Sequence, residues 1–196
     1  MNQKAFLLHL LTATGLAAFR GERLVFKDIG FSLCEGGALL LRGANGAGKS
    51  SLLRAIAGLT PLTAGRLLWD GEDALEDLAE HAARIAWLGH LDAVKPALTA
   101  FETVPDLAAL AAFGLAGFAD LPARLLSAGQ KRRLALARVL AAQAPLWLLD
   151  EPTNGLDTAS IGLAEAVFAR HLAGGGMIIA STHTPLALPD AVTLHL

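Results

Sequence analysis

The sequence predicts an α/β fold, with a three-layer core built on a mostly parallel sheet. Strand-like and helix-like segments alternate along most of the 196 residues, which places helices on the faces of a sheet. Leu146–Leu149 is an unbroken apolar run ending in Asp150, as expected of a strand covered on both faces. Ala38–Arg42 is a short apolar strand that runs through a glycine-rich loop directly into a helix.

The elements follow in order. Up to about residue 35 the chain reads as short strands around the turn Arg20-Gly21-Glu22. After the strand Ala38–Arg42, Lys49–Ala57 is a helix stopped by Gly58, with Pro61 just beyond, because glycine accepts the left-handed geometry of a helix exit. Gly65–Trp69 is a strand followed by the turn signal Asp70-Gly71, and Arg84–Leu88 is a further buried strand. Residues 90–126 are expected to be mostly helical. Within them Thr99 and Glu102 have capping-box spacing, and Pro105 breaks or restarts the helix. Ser127 opens a helix running to about Ala142, barred from continuing by Pro145. Thr158–Leu172 is a helix, Gly174-Gly175-Gly176 its exit, and Met177–Ser181 a buried strand. The stretch 90–143 interrupts the alternation, so it reads as a helical lobe inserted into a core of residues 1–89 and 144–196, all in one domain.

Composition narrows the function classes. The chain is 54% hydrophobic and 17% charged, with a mean hydropathy of +0.48. Yet its uncharged stretches Ala5–Phe19 and Leu107–Ala119 fall short of the roughly 20 apolar residues that span a bilayer. The net charge of -2 offers no basic surplus for nucleic acid, and no nucleic-acid partner is expected. The single cysteine, Cys34, excludes an intrachain disulfide and is expected to be a buried thiol. Lys4 and the apolar run after it imitate a secretory signal, but His9, Thr12 and Thr14 interrupt the run. A first strand is expected there.

The motif that carries chemistry is Gly43-Ala44-Asn45-Gly46-Ala47-Gly48-Lys49-Ser50, with Ser51 next. A glycine, four residues and Gly-Lys-Ser between a strand and a helix form a phosphate loop, or P-loop. Glycines let successive N–H groups converge on phosphate oxygens, and the helix adds its positive end. Lys49 is placed for the β- and γ-phosphates of ATP, and Ser50 for Mg²⁺. Asp150, at the carboxyl end of a buried strand, is placed to anchor the metal through water. Glu151 beside it can polarise the attacking water as general base.

Leu126-Ser127-Ala128-Gly129-Gln130 resembles the Leu-Ser-Gly-Gly-Gln signature of the ATP-binding-cassette (ABC) family, with Ala128 in place of one glycine. It lies some 20 residues before Asp150. The resemblance covers nearly the whole chain and implies the ABC ATPase fold: a P-loop NTPase core, an antiparallel N-terminal β part and the helical signature lobe. It also implies a homodimer in which Ser127, Ala128, Gly129 and Gln130 serve the ATP held by the second copy. Asn154-Gly155-Leu156-Asp157 matches the family's D-loop at the dimer interface, with Asp157 at its end. His183 matches the switch histidine that contacts the γ-phosphate.

Two family features are missing or displaced. The span from Gly43 to Ser127 contains no glutamine, whereas such cassettes usually carry one near the metal. Leu91 stands in its place and cannot ligate a cation, while His90 offers a partial substitute. There is no tyrosine to stack on adenine, and Phe19 is the candidate. Trp87-Leu88-Gly89-His90 is similar to a segment of cytochrome c maturation cassettes, as is the pairing of Arg20-Gly21-Glu22-Arg23 with the P-loop. The chain also stops soon after its last strand. These likenesses imply the ATP-binding subunit of a bacterial haem exporter, peripheral on the cytoplasmic face of the inner membrane and attached to integral permease subunits. The six histidines are scattered and no Cys-x-x-Cys-His occurs, so no haem ligand is expected in this chain. Leu107–Ala119 is a candidate surface for docking the permease, or a helix buried in its own lobe. A cassette for another cargo (lipid, peptide or small solute) would share every residue named. A soluble cassette acting on ribosomes or DNA is disfavoured, because only about 76 residues separate Ser50 from Ser127 and no sustained heptad appears. A cassette that clamps ATP without turnover is a further alternative, prompted by Leu91.

Overall fold

A computed structural model describes residues 9–196; the Lys4–Leu8 part of the first apolar run lies outside the described residues. Two sheets organise the chain. The first is antiparallel, in the order β2-β1-β4-β5: β1 is Leu10–Arg20, β2 Arg23–Cys34, β4 Ala64–Trp69 and β5 Glu72–Asp73. The second is parallel, in the order β6-β7-β8-β3-β9: β3 is Ala38–Arg42, β6 Ile85–Leu88, β7 Leu146–Asp150, β8 Met177–Ser181 and β9 Val192–His195.

The N-terminal strands are longer than expected, 11 and 12 residues. Register shifts along β1 let one ribbon bend past the glycines and polar residues that suggest breaks in the sequence. The period-2 rule of that ribbon overturns the expectation for Cys34. Leu33 is buried, so its neighbour points to the other face, and Cys34 is exposed.

Every residue of β7 and β8 is buried, and alternate residues feed opposite cores. Leu39, Leu41, Leu146, Leu148 and Ile179 pack on the side of helix α1 (Lys49–Ile56) and the antiparallel sheet. Leu40, Ala86, Trp147, Leu149 and Ile178 face the opposite layer. That layer contains helices α3 (Ala100–Thr103), α4 (Leu107–Ala112), α5 (Ala128–Ala141) and α6 (Thr158–Ala173). Helix α2 (Leu78–Ala83), strand β5 and strand β9 have no counterpart in the sequence reading. All are short and mostly exposed, so they leave no apolar period.

Residues 90–126 are less helical than expected. Residues 90–99 form no helix, and 116–118 and 123–125 are single 3₁₀ turns. Thr99 and Glu102 do form a reciprocal capping box, and after Pro105 the chain restarts with Asp106 capping α4. Leu110, Phe113 and Leu115 are fully buried while Leu107 is exposed, so one face of the apolar segment 107–119 fills its own lobe.

One buried and one half-buried histidine give the fold a dependence on pH. His81 is inaccessible to solvent, with Nε2 2.7 Å from the Ile56 carbonyl and Nδ1 unpartnered. The His171 ring stacks on Trp147 at 3.8 Å and 10°, and occupies the space a Cβ on Gly176 would need, so only glycine fits there. Burial lowers both imidazoles from their usual 6.5. As pH falls below that value the unfolded chain takes up protons first. Their contribution to stability is therefore full above pH 6.5 and lost as pH falls. The urea midpoint is expected to be flat from pH 8 to 7 and to drop towards pH 5.5; a midpoint constant over the whole range would contradict this.

Candidate active site

The site lies at the carboxyl ends of the parallel strands, the edge of an open α/β sheet where ligands bind. Strand β3 delivers the P-loop, β7 delivers Asp150 and Glu151, and β8 lies between them in the sheet. A cavity of about 470 Å³ is lined there by Asn45, Gly46, Gly48, Lys49, Ser50, Ser51, Asp150, Glu151 and His183, joined by Arg23, Val25, His90 and Asn154. One hundred residues of chain separate Ser50 from Asp150, yet the Ser50 hydroxyl donates to Asp150 Oδ1 at 3.0 Å.

The loop conformation depends on Gly48. Its φ of 104° is a left-handed value, and an added Cβ would lie 3.0 Å from the Val25 carbonyl oxygen. Gly48 is the N-cap of α1 and supplies no side-chain acceptor, so the first N–H groups of this helix remain for an anion. Lys49 is buried, and its Nζ donates to the carbonyls of Gly43 at 2.8 Å and Ala44 at 3.1 Å. Gly43 and Ala44 thus hold the lysine, and Ala47 closes a turn onto Ala44, while none of these three lines the cavity.

Asp150 is 3% exposed. Its Oδ1 accepts from Ser181 at 2.5 Å as well as from Ser50. Ser181 ends β8 and went unnoticed in the sequence, where a serine after an apolar strand carries no distinguishing mark. Glu151 adopts φ 50°, a left-handed backbone that costs a non-glycine residue about 1–2 kcal/mol. Its N–H donates to both the carbonyl and the hydroxyl oxygen of Ser181 at 3.1 Å, and its carbonyl accepts from Arg132 at 2.5 Å. So held, its carboxylate meets His183, with Nδ1 2.8 Å from Oε1. A carboxylate only accepts, so Nδ1 carries the proton.

The remaining candidates lie elsewhere. Ser127 caps α5, accepting from the Gln130 N–H at 3.2 Å while the Gln130 side chain accepts from the Ser127 N–H at 2.7 Å. Ala128 is the first helical residue, a backbone position any L-residue adopts, so no glycine is needed there. Ser127, Ala128, Gly129 and Gln130 stay outside the cavity lining of their own chain. Asp157 caps α6 through the Ser160 N–H at 2.7 Å, and that N–H lowers its carboxyl pKa. Leu91 is 79% exposed and absent from the lining, where His90 is present. Phe19 is half-exposed and also outside it; Arg23 and Val25 occupy the cavity wall near the loop instead.

Lys49, Ser50, Asp150, Glu151 and His183 thus line one cavity at the glycine-rich loop. The family model for ABC transporters matches residues 26–154. The chain belongs to the ABC transporter family. Among relatives, the cytochrome c biogenesis ATP-binding export protein CcmA of Paramagnetospirillum magneticum is 52% identical over 94% of this chain and 93% of its own. The protein of the same name from Rhodospirillum rubrum is 52% identical over 92% of this chain and 83% of its own. Among solved structures, a dimeric ATP-binding cassette in a post-hydrolysis state bound to ADP and Pi superposes with a TM-score of 0.79. It shares 24% identity over 89% of this chain and 88% of that one, a likeness of fold. As an ABC transporter ATPase, the chain couples ATP hydrolysis to transport. No helix among the described residues is long and apolar enough to cross a membrane.

Proposed function

We propose that this chain is the ATP-hydrolysing subunit of a haem exporter for cytochrome c biogenesis, acting as a pair of copies beneath an integral membrane permease. The observation that carries the catalytic half is the convergence of Lys49, Ser50, Asp150, Glu151 and His183 on one cavity. The relatives' printed names and the segment Trp87-Leu88-Gly89-His90 support the cargo. Two copies stand face to face on the cytoplasmic side of the inner membrane, each capping the other's ATP with Ser127–Gln130. Asp157 lies along their interface.

The donor set fits Mg²⁺. Ser50 Oγ is a hard oxygen ligand, and Asp150 Oδ1, 3.0 Å from it, would hold a water of the ion's shell, since Mg²⁺ usually keeps several waters beside protein and phosphate oxygens. When bound, the ion neutralises charge on the β- and γ-phosphates. The P-loop N–H groups and Lys49 orient the phosphates, which requires the Lys49 ammonium to exchange a loop carbonyl for a phosphate oxygen. Glu151 takes the proton of the attacking water. His183, whose Nδ1–H is fixed on Glu151, aims that carboxylate; to hold the γ-phosphate as well, its Nε2 must also carry a proton, because phosphate oxygens only accept.

The test is purification of the tagged chain from solubilised membranes, with its companions identified by mass spectrometry. An integral membrane protein is expected, and loss of the chain should abolish covalently bound haem in c-type cytochromes. Normal c-type cytochromes in its absence, with a permease for another solute in the complex, would refute the cargo.

A further inference from the structure

Arg132 stands on α5, one turn beyond the Ser127 cap, and is 5% exposed. A guanidinium has five N–H donors, and five acceptors surround this one. Nε donates to the Pro152 carbonyl at 3.3 Å. Nη2 donates to the carbonyls of Asp150 at 2.7 Å and Glu151 at 2.5 Å. Nη1 donates to the Gly89 carbonyl at 3.1 Å and to Asp92 Oδ1 at 3.0 Å. One side chain therefore spans three segments: the signature helix, the turn bearing Glu151, and the loop after β6 that carries His90. Arg138, a second arginine of α5, also grips that loop through the carbonyls of Ala93 and Asp92, but only Arg132 reaches Glu151 as well.

Two features of the site depend on this placement. Glu151 holds a left-handed backbone, and three consecutive carbonyls, 150 to 152, converge on one cation that satisfies them away from water. The loop at Leu91 also lacks the usual glutamine, and His90 is its residue on the cavity lining. Asp92 instead fastens the loop to Arg132, and through it to the catalytic turn.

We propose that Arg132 is a positioning residue that ties the orientation of the signature helix to the backbone of Glu151. Movement of α5 against the sheet, or of the Gly89–Asp92 loop, is thereby transmitted to the catalytic carboxylate. This rests on Glu151 being the general base.

The test uses the cassette with its permease, assayed for ATP turnover, for affinity with the fluorescent analogue MANT-ATP, and for thermal midpoint. Arg132→Ala is expected to lower kcat by about 10- to 100-fold, since a displacement of about 1 Å can cost 10²-fold. MANT-ATP affinity should stay within about twofold, because Arg132 touches no P-loop residue. Arg132→Lys should restore little, because three donors on a point charge cannot serve five acceptors in a fork. Asp92→Asn removes the charge on the loop side of the clamp and leaves the Gly89 carbonyl in place. It should lower kcat by a few-fold on its own and add nothing in the Arg132→Ala background. Equal loss of affinity and turnover, or full kcat in Asp92→Asn, would overturn the proposal. If Arg132→Ala does not fold, Arg132→Lys and Asp92→Asn decide it. Glu151→Gln runs alongside: full turnover there removes the base assignment itself, whereas loss there with full kcat in the Arg132 variants removes the positioning role alone.

Discussion

Glu151→Gln is expected to lower ATP turnover by about 10²- to 10⁴-fold, the range a positioned general base contributes, and to leave ATP binding intact. The substitution preserves size and removes the ability to take a proton. The local geometry should survive it. The left-handed backbone at 151 is held by Ser181 and Arg132 through main-chain atoms, and the amide oxygen of glutamine can still accept the His183 Nδ1–H found 2.8 Å from Oε1. Nucleotide then binds but is not consumed, so a two-copy complex should accumulate in Mg-ATP. Phosphate release and light scattering after size exclusion measure the two effects. Unchanged turnover would refute the base assignment.

Ser127→Asp should abolish turnover almost as completely, by at least about 100-fold, without unfolding the chain. Aspartate is as good an N-cap as serine, so it can accept the Gln130 N–H that Ser127 accepts at 3.2 Å, and α5 should persist. It also places a negative charge where the proposed arrangement brings the partner copy's γ-phosphate, reversing the attraction of a helix start for an anion. A thermal midpoint near that of the parent, together with lost turnover and lost ATP-dependent pairing, is the expected outcome. If Ser127→Asp hydrolyses ATP normally, the signature does not serve a second nucleotide. Mixing it with Lys49→Ala sharpens the test: if each site joins the P-loop of one copy to the signature of the other, every hybrid pair has one site intact in both halves and one broken in both, so turnover should partly return.

Several parts of the site were legible because they are local. The P-loop announces itself through glycines whose positions are dictated by phosphate geometry. The apolar run Leu146–Leu149 followed by two acids marks a buried strand ending at a site. The caps at Thr99 and Ser127 could be read from residues three apart, because an N-cap bonds within one helical turn. Arg132 was invisible for the opposite reason. An arginine following Gln130 and Lys131 reads as the solvated face of a helix, and its five acceptors come from segments 18 to 43 residues away. Ser181 was hidden likewise, its partners Asp150 and Glu151 lying 31 and 30 residues away. Cys34 was misjudged because apolar neighbours suggest burial, whereas alternation in an antiparallel ribbon decides which of two adjacent residues faces the core.

By itself the sequence determined the class of fold, through its alternation of apolar segments, and the glycine-rich loop and the capped helices, which depend on contacts within a few residues. Only the tertiary structure decided how strands β3, β7 and β8 lie side by side so that Ser50, Ser181 and Asp150 share one oxygen, how Glu151 is held in a left-handed turn against His183, and which arginine bridges the signature helix to that turn. Hydrogen bonds between distant segments require strand order and register, and these arise when the apolar faces of all the elements are buried together.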